Sequence, residues 1–468
     1  METTATPRNV FISFLGTTNY KLVIYQWSKD EKSEPVRFIQ EAILEHIAKD
    51  WTENDRIFIF YTKTNEENGN PGSYEKNWLN DGHVNDKYPI KDIERVGLCE
   101  RLSKLKDRLG FKAKIEPVEV KEGFSEKDVW VTFDVVYSKL QKGDKIHFDI
   151  THAFRSIPMF ASSLLNYAQY MLDVEVVSIN YGAFEKLGPA YLVEKMPMEE
   201  RIAPIVDMTN IVKLQKLTET ATSIKEFGRI KKVSENLSPD LSTNSGSAVD
   251  EIAKAIKELD EAIQTSSVTT LKEGKIITRF KQNFKKSINS TKLQKAEKEL
   301  LIKVNEELKG FVGENNYKNV EAAIDWTRGH EMLSQAATLA QEYIISYTND
   351  VVRSLGFSNP YIEPNKKEDN KKRKLFREYI GSILGIDEKD LTNRKYEGKL
   401  ASYPDLADKL FNLDFIKCLR IHYDDLRKTR NSLNHGNGDK TYDDLKNIFN
   451  KSYENCIHIL HQYPLENE

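Results

Sequence analysis

The sequence predicts an α/β domain followed by an all-helical one. Three observations carry that reading. Short runs of β-branched and aromatic residues alternate with helical patterns through about the first 200 residues. Strand signals then disappear near residue 209, and amphipathic helical periodicity continues to the C-terminus.

The predicted strands are NVFISFLG (9–16), RIFIFYT (56–62), KIEPVEV (114–120), KIHFDI (145–150) and VEVVSINYG (174–182). They read as near-continuous apolar runs, the pattern of parallel strands covered on both faces. The predicted helices between them are Pro35–Lys49, Gly97–Leu109, Ser125–Leu140 and Ser156–Leu172. Pro158 falls in the first turn of the last, where a missing N–H leaves no hydrogen bond unmade. This alternation predicts a doubly wound sheet whose ligands sit outside the carboxyl ends of its strands.

Beyond it, NIVKLQKLTETATSIKEF (210–227) opens the helical series. SENLSPDLSTNSGSA (234–248) reads as a flexible interruption, and the charged NPYIEPNKKEDNKKRK (359–374) as a solvated loop. Boundaries are expected at 1–208, 209–320 and 321–468, the middle segment being a helical connector. A chain of 468 residues exceeds one ordinary domain, and its 39% hydrophobic content supplies real cores.

Composition narrows the function classes. The 69 basic and 72 acidic side chains leave a net charge of −3, which argues against a general nucleic-acid coat and confines any such contact to a local site. Cys99, Cys418 and Cys456 are scattered without metal or disulfide spacing. No run of about 18 apolar residues occurs, and METTATPRNVFISFLG lacks a basic n-region ahead of a long apolar stretch. The expectation is a soluble, cytoplasmic protein.

Three motifs stand where strands end. In FLGTTNY (14–20) a strand runs into Gly16, Thr17, Thr18 and Asn19, residues small enough to bring backbone N–H groups close to a phosphate or ring nitrogen. It has neither the spacing of a dinucleotide fingerprint nor that of a P-loop, so no ordinary nucleotide cofactor is expected. FDITHAFRSIP (148–158) delivers Thr151 and His152 to a loop, and Arg155 and Ser156 to the start of the next helix. A helix N-terminus receives anions, and an arginine there suits a negative ligand. Ser156 equally suits an N-cap. His147, Asp149 and His152 invite a metal reading, but no third histidine, HExxH or cysteine supports one, and Asp149 in an apolar strand suits fixing a neighbouring turn. GSYEKNW (72–78) offers Trp78 either as core or as a stacking surface for a base.

Together these motifs resemble the CARF domain of type III CRISPR ancillary nucleases, a Rossmann-like sensor of cyclic oligoadenylates. FLGTTNY, the Asn77–Trp78 pair and above all DITHAFRSIP carry the resemblance. It implies a homodimer whose two sheets cradle one cyclic ligand. The implied ligand residues are Gly16, Thr17, Thr18, Asn19, Asn77, Trp78, Asp149, Thr151, His152, Ala153, Phe154, Arg155 and Ser156. Arg155 would face phosphate or adenine, and His152 the ribose or backbone. Cyclic tetra-adenylate is the expected activator, with hexa-adenylate the alternative.

Near the C-terminus, FIKCLRIHYDDLRKTRNSLNHG (415–436) holds Arg430 and His435 with Asn431 and Asn434 between them. Basic residues suit a helix C-terminus, and Gly436 or Gly438 can end the helix in a left-handed conformation. Two asparagines poorly suited to a helix interior beside the charged pair point further. RNSLNH resembles the R-x4–6-H motif of HEPN ribonucleases, and WTRGHEMLSQAATLAQEY (326–343) resembles a helix of CRISPR-associated relatives; residues 230–315 match neither half.

That resemblance implies an allosterically activated endoribonuclease acting on single-stranded RNA without a metal. Arg430 would bridge phosphate oxygens. His435 would act as acid or base or orient the phosphate, while Asn431 and Asn434 hold loop or substrate. If the segment is helical, residues five apart point about 140° apart, so two protomers are expected to share one cleft. The alternative is a ligand-sensing regulator whose helical part grips DNA or a protein. Balanced charge and long helices argue against it, and no stable duplex DNA binding is expected.

Overall fold

The computed structural model describes residues 7–64, 69–82, 96–152, 157–233, 247–291, 293–362, 368–436 and 440–465. The chain forms two compact units, Met1–Gln215 and Lys216–Glu468.

The first unit is built on an eight-stranded sheet: β1 (Asn9–Phe14), β2 (Ile24–Ser28), β3 (Glu31–Lys32), β4 (Arg56–Tyr61), β5 (Lys114–Glu119), β6 (Lys145–Asp149), β7 (Glu175–Gly182) and β8 (Ile202–Asp207). Their order across the sheet is β3-β2-β8-β7-β6-β1-β4-β5. From β7 to β5 every pairing is parallel, while β8 joins β7 antiparallel. The chain therefore winds outward from β1 through β4 to β5, returns, and winds the other way through β6 to β7. The reversal of direction lies between β1 and β6.

Helices α1 (Ile39–Ile47), α2 (Leu98–Leu109), α3 (Glu126–Tyr137) and α4 (Ile157–Leu172) cover the sheet. Successive side chains of a strand point to opposite faces. Accordingly Phe11 and Leu15 join a core with Ile39, Ile43 and Leu102, whereas Val10, Ile12 and Phe14 join a second core with Val136, Leu164 and Leu165. Each such buried side chain contributes about 1.5–3 kcal/mol. At the base of the sheet Arg8 makes a two-pronged ion pair with Asp144 at 2.8 and 3.0 Å, which fixes β1 against β6.

All five predicted strands and four predicted helices form, each within a few residues of its expected bounds. The strands not foreseen are β2, β3 and β8. β3 is two exposed charged residues and β8 carries Pro204, so neither presents a strand-like apolar run, whereas the IYQWS of β2 is apolar enough for a strand, a signal that sequence reasoning missed. Pro117 in β5 is tolerated because β5 is the sheet edge.

After the short α5 (Ala190–Val193), α6 (Asn210–Phe227) leads into the second unit. That unit contains α7 (Ala248–Gln264), α8 (Val268–Glu273), α9 (Lys275–Ile288), α10 (Lys295–Glu307), α11 (Lys318–Gly329) and α12 (Leu333–Ser354). It continues with α13 (Asn370–Gly385), α14 (Glu388–Thr392), α15 (Pro404–Phe411), α16 (Asp414–His435) and α17 (Tyr442–Leu460). One apolar core runs from Leu217 to Leu460, with α12 at its centre through Ala336, Ala340, Tyr343 and Tyr347. Of the predicted interruption, residues 234–246 lie outside the described residues. The charged stretch 359–374 is not all loop. Asp369 accepts from Lys372 N at 2.8 Å and caps α13, so the lysine-rich end becomes helical. Arg353, Asn359 and Arg373 converge on Glu368, and the Arg353 guanidinium holds that carboxyl down at about 2.

Candidate ligand-binding crevice and candidate active site

The loops after β1 and β6 flank the point where the strand order reverses, the position at which open α/β sheets bind ligands. Beneath them lies a buried polar chain. Ser13 and Asp149 face one another in the β1–β6 ladder, and Ser13 Oγ donates to Asp149 Oδ2 at 2.7 Å. Gln40 Nε2 donates to Ser13 Oγ at 2.9 Å, and Thr151 N donates to Asp149 Oδ1 at 3.0 Å. Asp149 is fully buried, and desolvation raises its carboxyl above the usual range. Its place is under the loop, where it turns the chain at Thr151. Thr151 Oγ1 accepts from Gly182 N at 2.8 Å and ties that turn to the end of β7.

The first loop is shaped from below as well. Asn77, fully buried in the π-helical turn Tyr74–Trp78, donates through Nδ2 to the carbonyls of Gly16 and Thr18 at 2.8 and 3.0 Å. Gly16 N donates to Tyr20 Oη at 2.9 Å, and a Cβ on Gly16 would meet that oxygen at the same distance. With the Gly16 and Thr18 carbonyls engaged below, the side chains of Thr17, Thr18 and Asn19 are left exposed at the crevice. Trp78 is 4% exposed and belongs to the core with Leu98 and Leu102, so it offers no stacking face here.

His152 packs its ring against Tyr20, with centroids 4.3 Å apart, and burial pushes its pKa down to about 3. A neutral imidazole at the crevice can donate to or accept from a ribose hydroxyl but brings no charge. His147 lies deeper, 2.9 Å from Ser178 Oγ and against Trp51, and burial lowers it to about 4. His147 and Asp149 thus have separate partners and do not converge. Ala153, Phe154, Arg155 and Ser156 lie outside the described residues.

Sequence reasoning did not single out Ser13, Tyr20, Arg37 or Gln40. Arg37 is buried and donates to Tyr20 O at 3.0 Å, supporting the loop from the far side. Nothing in their local sequence marks them, because the partners of Ser13 and Gln40 lie 136 and 27 residues away.

The second candidate site is the end of α16. Leu419, Tyr423, Leu426 and Thr429 bury one face of that helix. The helix runs unbroken to His435 and stops at Gly436, whose left-handed φ of 63° and N–H to Ser432 O close it. Asn431, Asn434 and His435 are exposed, and Arg430 is half-buried. Arg430 Nη1 donates to Asn431 Oδ1 at 3.2 Å, while its Nε is buried with no hydrogen-bond partner among the described residues. His435 follows Arg430 by five helical positions, so the two point about 140° apart. The fold thus brings Arg430 and Asn431 together and leaves His435 aimed elsewhere.

Comparison with known proteins bears on the first unit. Residues 10–185 match the family CRISPR system endoribonuclease Csx1, CARF domain. CRISPR-associated protein MJ1674 of Methanocaldococcus jannaschii is 28% identical over 213 residues, which are 44% of this chain and 31% of that protein. The match thus spans under a third of that relative's length. The solved structure of Enterococcus italicus Csm6 bound to cyclic hexa-2'-fluoro-hexa-dAMP aligns with 99% of this chain and 96% of that one, at a TM-score of 0.45 and 12% identity. Among the described residues, no helix is long and apolar enough to cross a membrane. The doubly wound sheet and the loops at its switch point agree with the family match: residues 10–185 of the first unit are similar to the CARF domain of the Csx1 family.

Proposed function

We propose that the chain is a single-stranded RNA endoribonuclease switched on by a cyclic oligoadenylate. In this reading the CARF domain (1–208) binds the activator between two copies of the chain. A connector (209–320) and a HEPN-type ribonuclease domain (321–468) follow.

The observation that carries the output half is the state of Arg430. It is half-buried at the end of α16 with Nη1 on the exposed Asn431, and its planar guanidinium carries further N–H donors that a phosphate can engage. The activator half rests on Thr17, Thr18, Asn19, Thr151 and His152, which border a switch-point crevice suited to a ribose–phosphate ring.

The chemistry is an internal transfer. The 2′-OH loses its proton and attacks the adjacent phosphorus, charge builds on the phosphorane oxygens, and the P–O5′ bond breaks as the 5′ oxygen is protonated. The nucleophile is internal to RNA, so DNA is not cut. Arg430 stabilises the phosphorane charge. His435 moves a proton or orients the phosphate, and Asn431 and Asn434 hold the strand. Because Arg430 and His435 diverge on one helix, each cleft takes them from two protomers. The activator can drive this only by binding the cutting arrangement more tightly than the resting one.

The test is cleavage of a fluorogenic RNA in the presence of cyclic tetra- or hexa-adenylate, with calorimetric binding of each ring to the same protein. Activator-dependent cleavage supports the proposal. Tight binding without cleavage, accompanied by a gel shift of duplex DNA, would turn the reading towards a regulator.

A further inference from the structure

A cavity of about 630 Å³ opens within the second unit, beside the last turns of α16. Leu433, which lines it, stands three residues after Arg430 and immediately before Asn434, so the cavity begins within about one helical turn of the proposed catalytic arginine. Ile263, Trp326, Met332 and Leu333 give the walls an apolar part, and Asp260, Gln264, Glu331 and Gln335 a polar one. Tyr442, 45% exposed, stands at the rim with its ring set by a hydrogen bond from its hydroxyl to Glu331 O at 3.2 Å. Arg229, Lys231 and Lys232 border the cavity and are exposed.

A partly apolar wall with polar side chains for base edges, a fixed aromatic ring and adjoining cations together form the kind of platform that takes a base by stacking and its phosphate by charge. The volume suffices for one nucleotide. We propose that this cavity is a nucleobase subsite, holding the base of an RNA nucleotide next to the phosphate that Arg430 engages and so setting where the strand is cut. The inference rests on the ribonuclease reading for its place in the reaction, but the binding of a nucleotide there does not depend on that reading.

The experiment uses the full chain and two variants outside the proposed catalytic set. Ser334→Trp fills the cavity from an exposed wall position, and Tyr442→Ala removes the stacking ring. Thermal melts verify that each folds. Cleavage is read on activator-saturated protein with RNAs differing at a single base beside the cut. The expected result is a KM raised roughly ten-fold, the low end of the stacking energy of one base, with a flattened base preference and unchanged activator binding. If both variants cut with unaltered KM and base preference, the subsite is refuted while the ribonuclease reading stands. If the wild-type chain cuts no RNA, that reading falls. Saturation-transfer NMR with AMP, GMP, CMP and UMP then decides the cavity alone: a signal lost in Ser334→Trp supports it, and no signal or one that Ser334→Trp retains overturns it.

Discussion

Ser13 and Asp149 face each other across the β1–β6 seam and share a 2.7 Å hydrogen bond at the floor of the crevice. Both of the loops proposed to touch the activator rise from this pair. Replacing Asp149 by Ala removes the acceptor of Ser13 Oγ and Thr151 N together. The expected cost is about 1–3 kcal/mol for each buried donor left unpaired. Urea unfolding should show that loss, and calorimetry should show weaker cyclic oligoadenylate binding. Asp149→Asn, which keeps one acceptor oxygen and turns the other position into a donor, should restore part of each.

Asn77 acts on the same loop from below, through the carbonyls of Gly16 and Thr18. Asn77→Ala frees those carbonyls inside the fold. We expect a stability loss of about 1–3 kcal/mol and an activator affinity at least several-fold lower. Gly16→Ala should act by another route, since its Cβ would press on Tyr20 Oη at 2.9 Å and unseat the ring that packs on His152. For that variant affinity should fall more than stability.

The two histidines of β6 and its loop predict how the first unit responds to acid. Burial lowers His147 to about 4 and His152 to about 3 from an ordinary value near 6.5. The unfolded chain therefore takes up these protons first. Their contribution is complete above pH 6.5 and is lost as pH falls towards the folded values. Between pH 6.5 and 5 each contributes up to about 2 kcal/mol of lost stability. Asp149, raised by burial, works in the opposite sense at the acid end of the range. Thermal melts at pH 7 and pH 5 should show a drop that His147→Gln makes shallower. An unchanged slope in that variant would remove His147 from the account.

The sheet was legible because β1, β4 and β6 are buried on both faces and therefore read as continuous apolar runs. The edge additions were not, because β3 is two exposed charged residues and β8 is broken by Pro204. The crevice loops were visible as motifs, yet their supports were hidden. Asn77 read as a ligand contact in the sequence, and Asp149 as either a ligand contact or the anchor of a turn, whereas the fold places both in the interior holding loop backbone. Short polar side chains serve either purpose, and only burial separates the two. At α16 the helix, its glycine stop and the divergence of Arg430 from His435 all follow from periodicity. The cavity beside Leu433 does not, because its walls come from five separate segments.

The central claim is that activator binding releases RNA cleavage at Arg430 and His435. Its most direct test compares the wild-type chain with Arg430→Ala and His435→Ala, measuring fluorogenic RNA cleavage and cyclic oligoadenylate affinity on the same preparations. Both variants should bind activator as the wild type does and lose cleavage by at least about 100-fold. Mixing the two variants should restore part of the activity, because a mixed dimer contains one intact cleft. Full activated cleavage by His435→Ala would contradict the account.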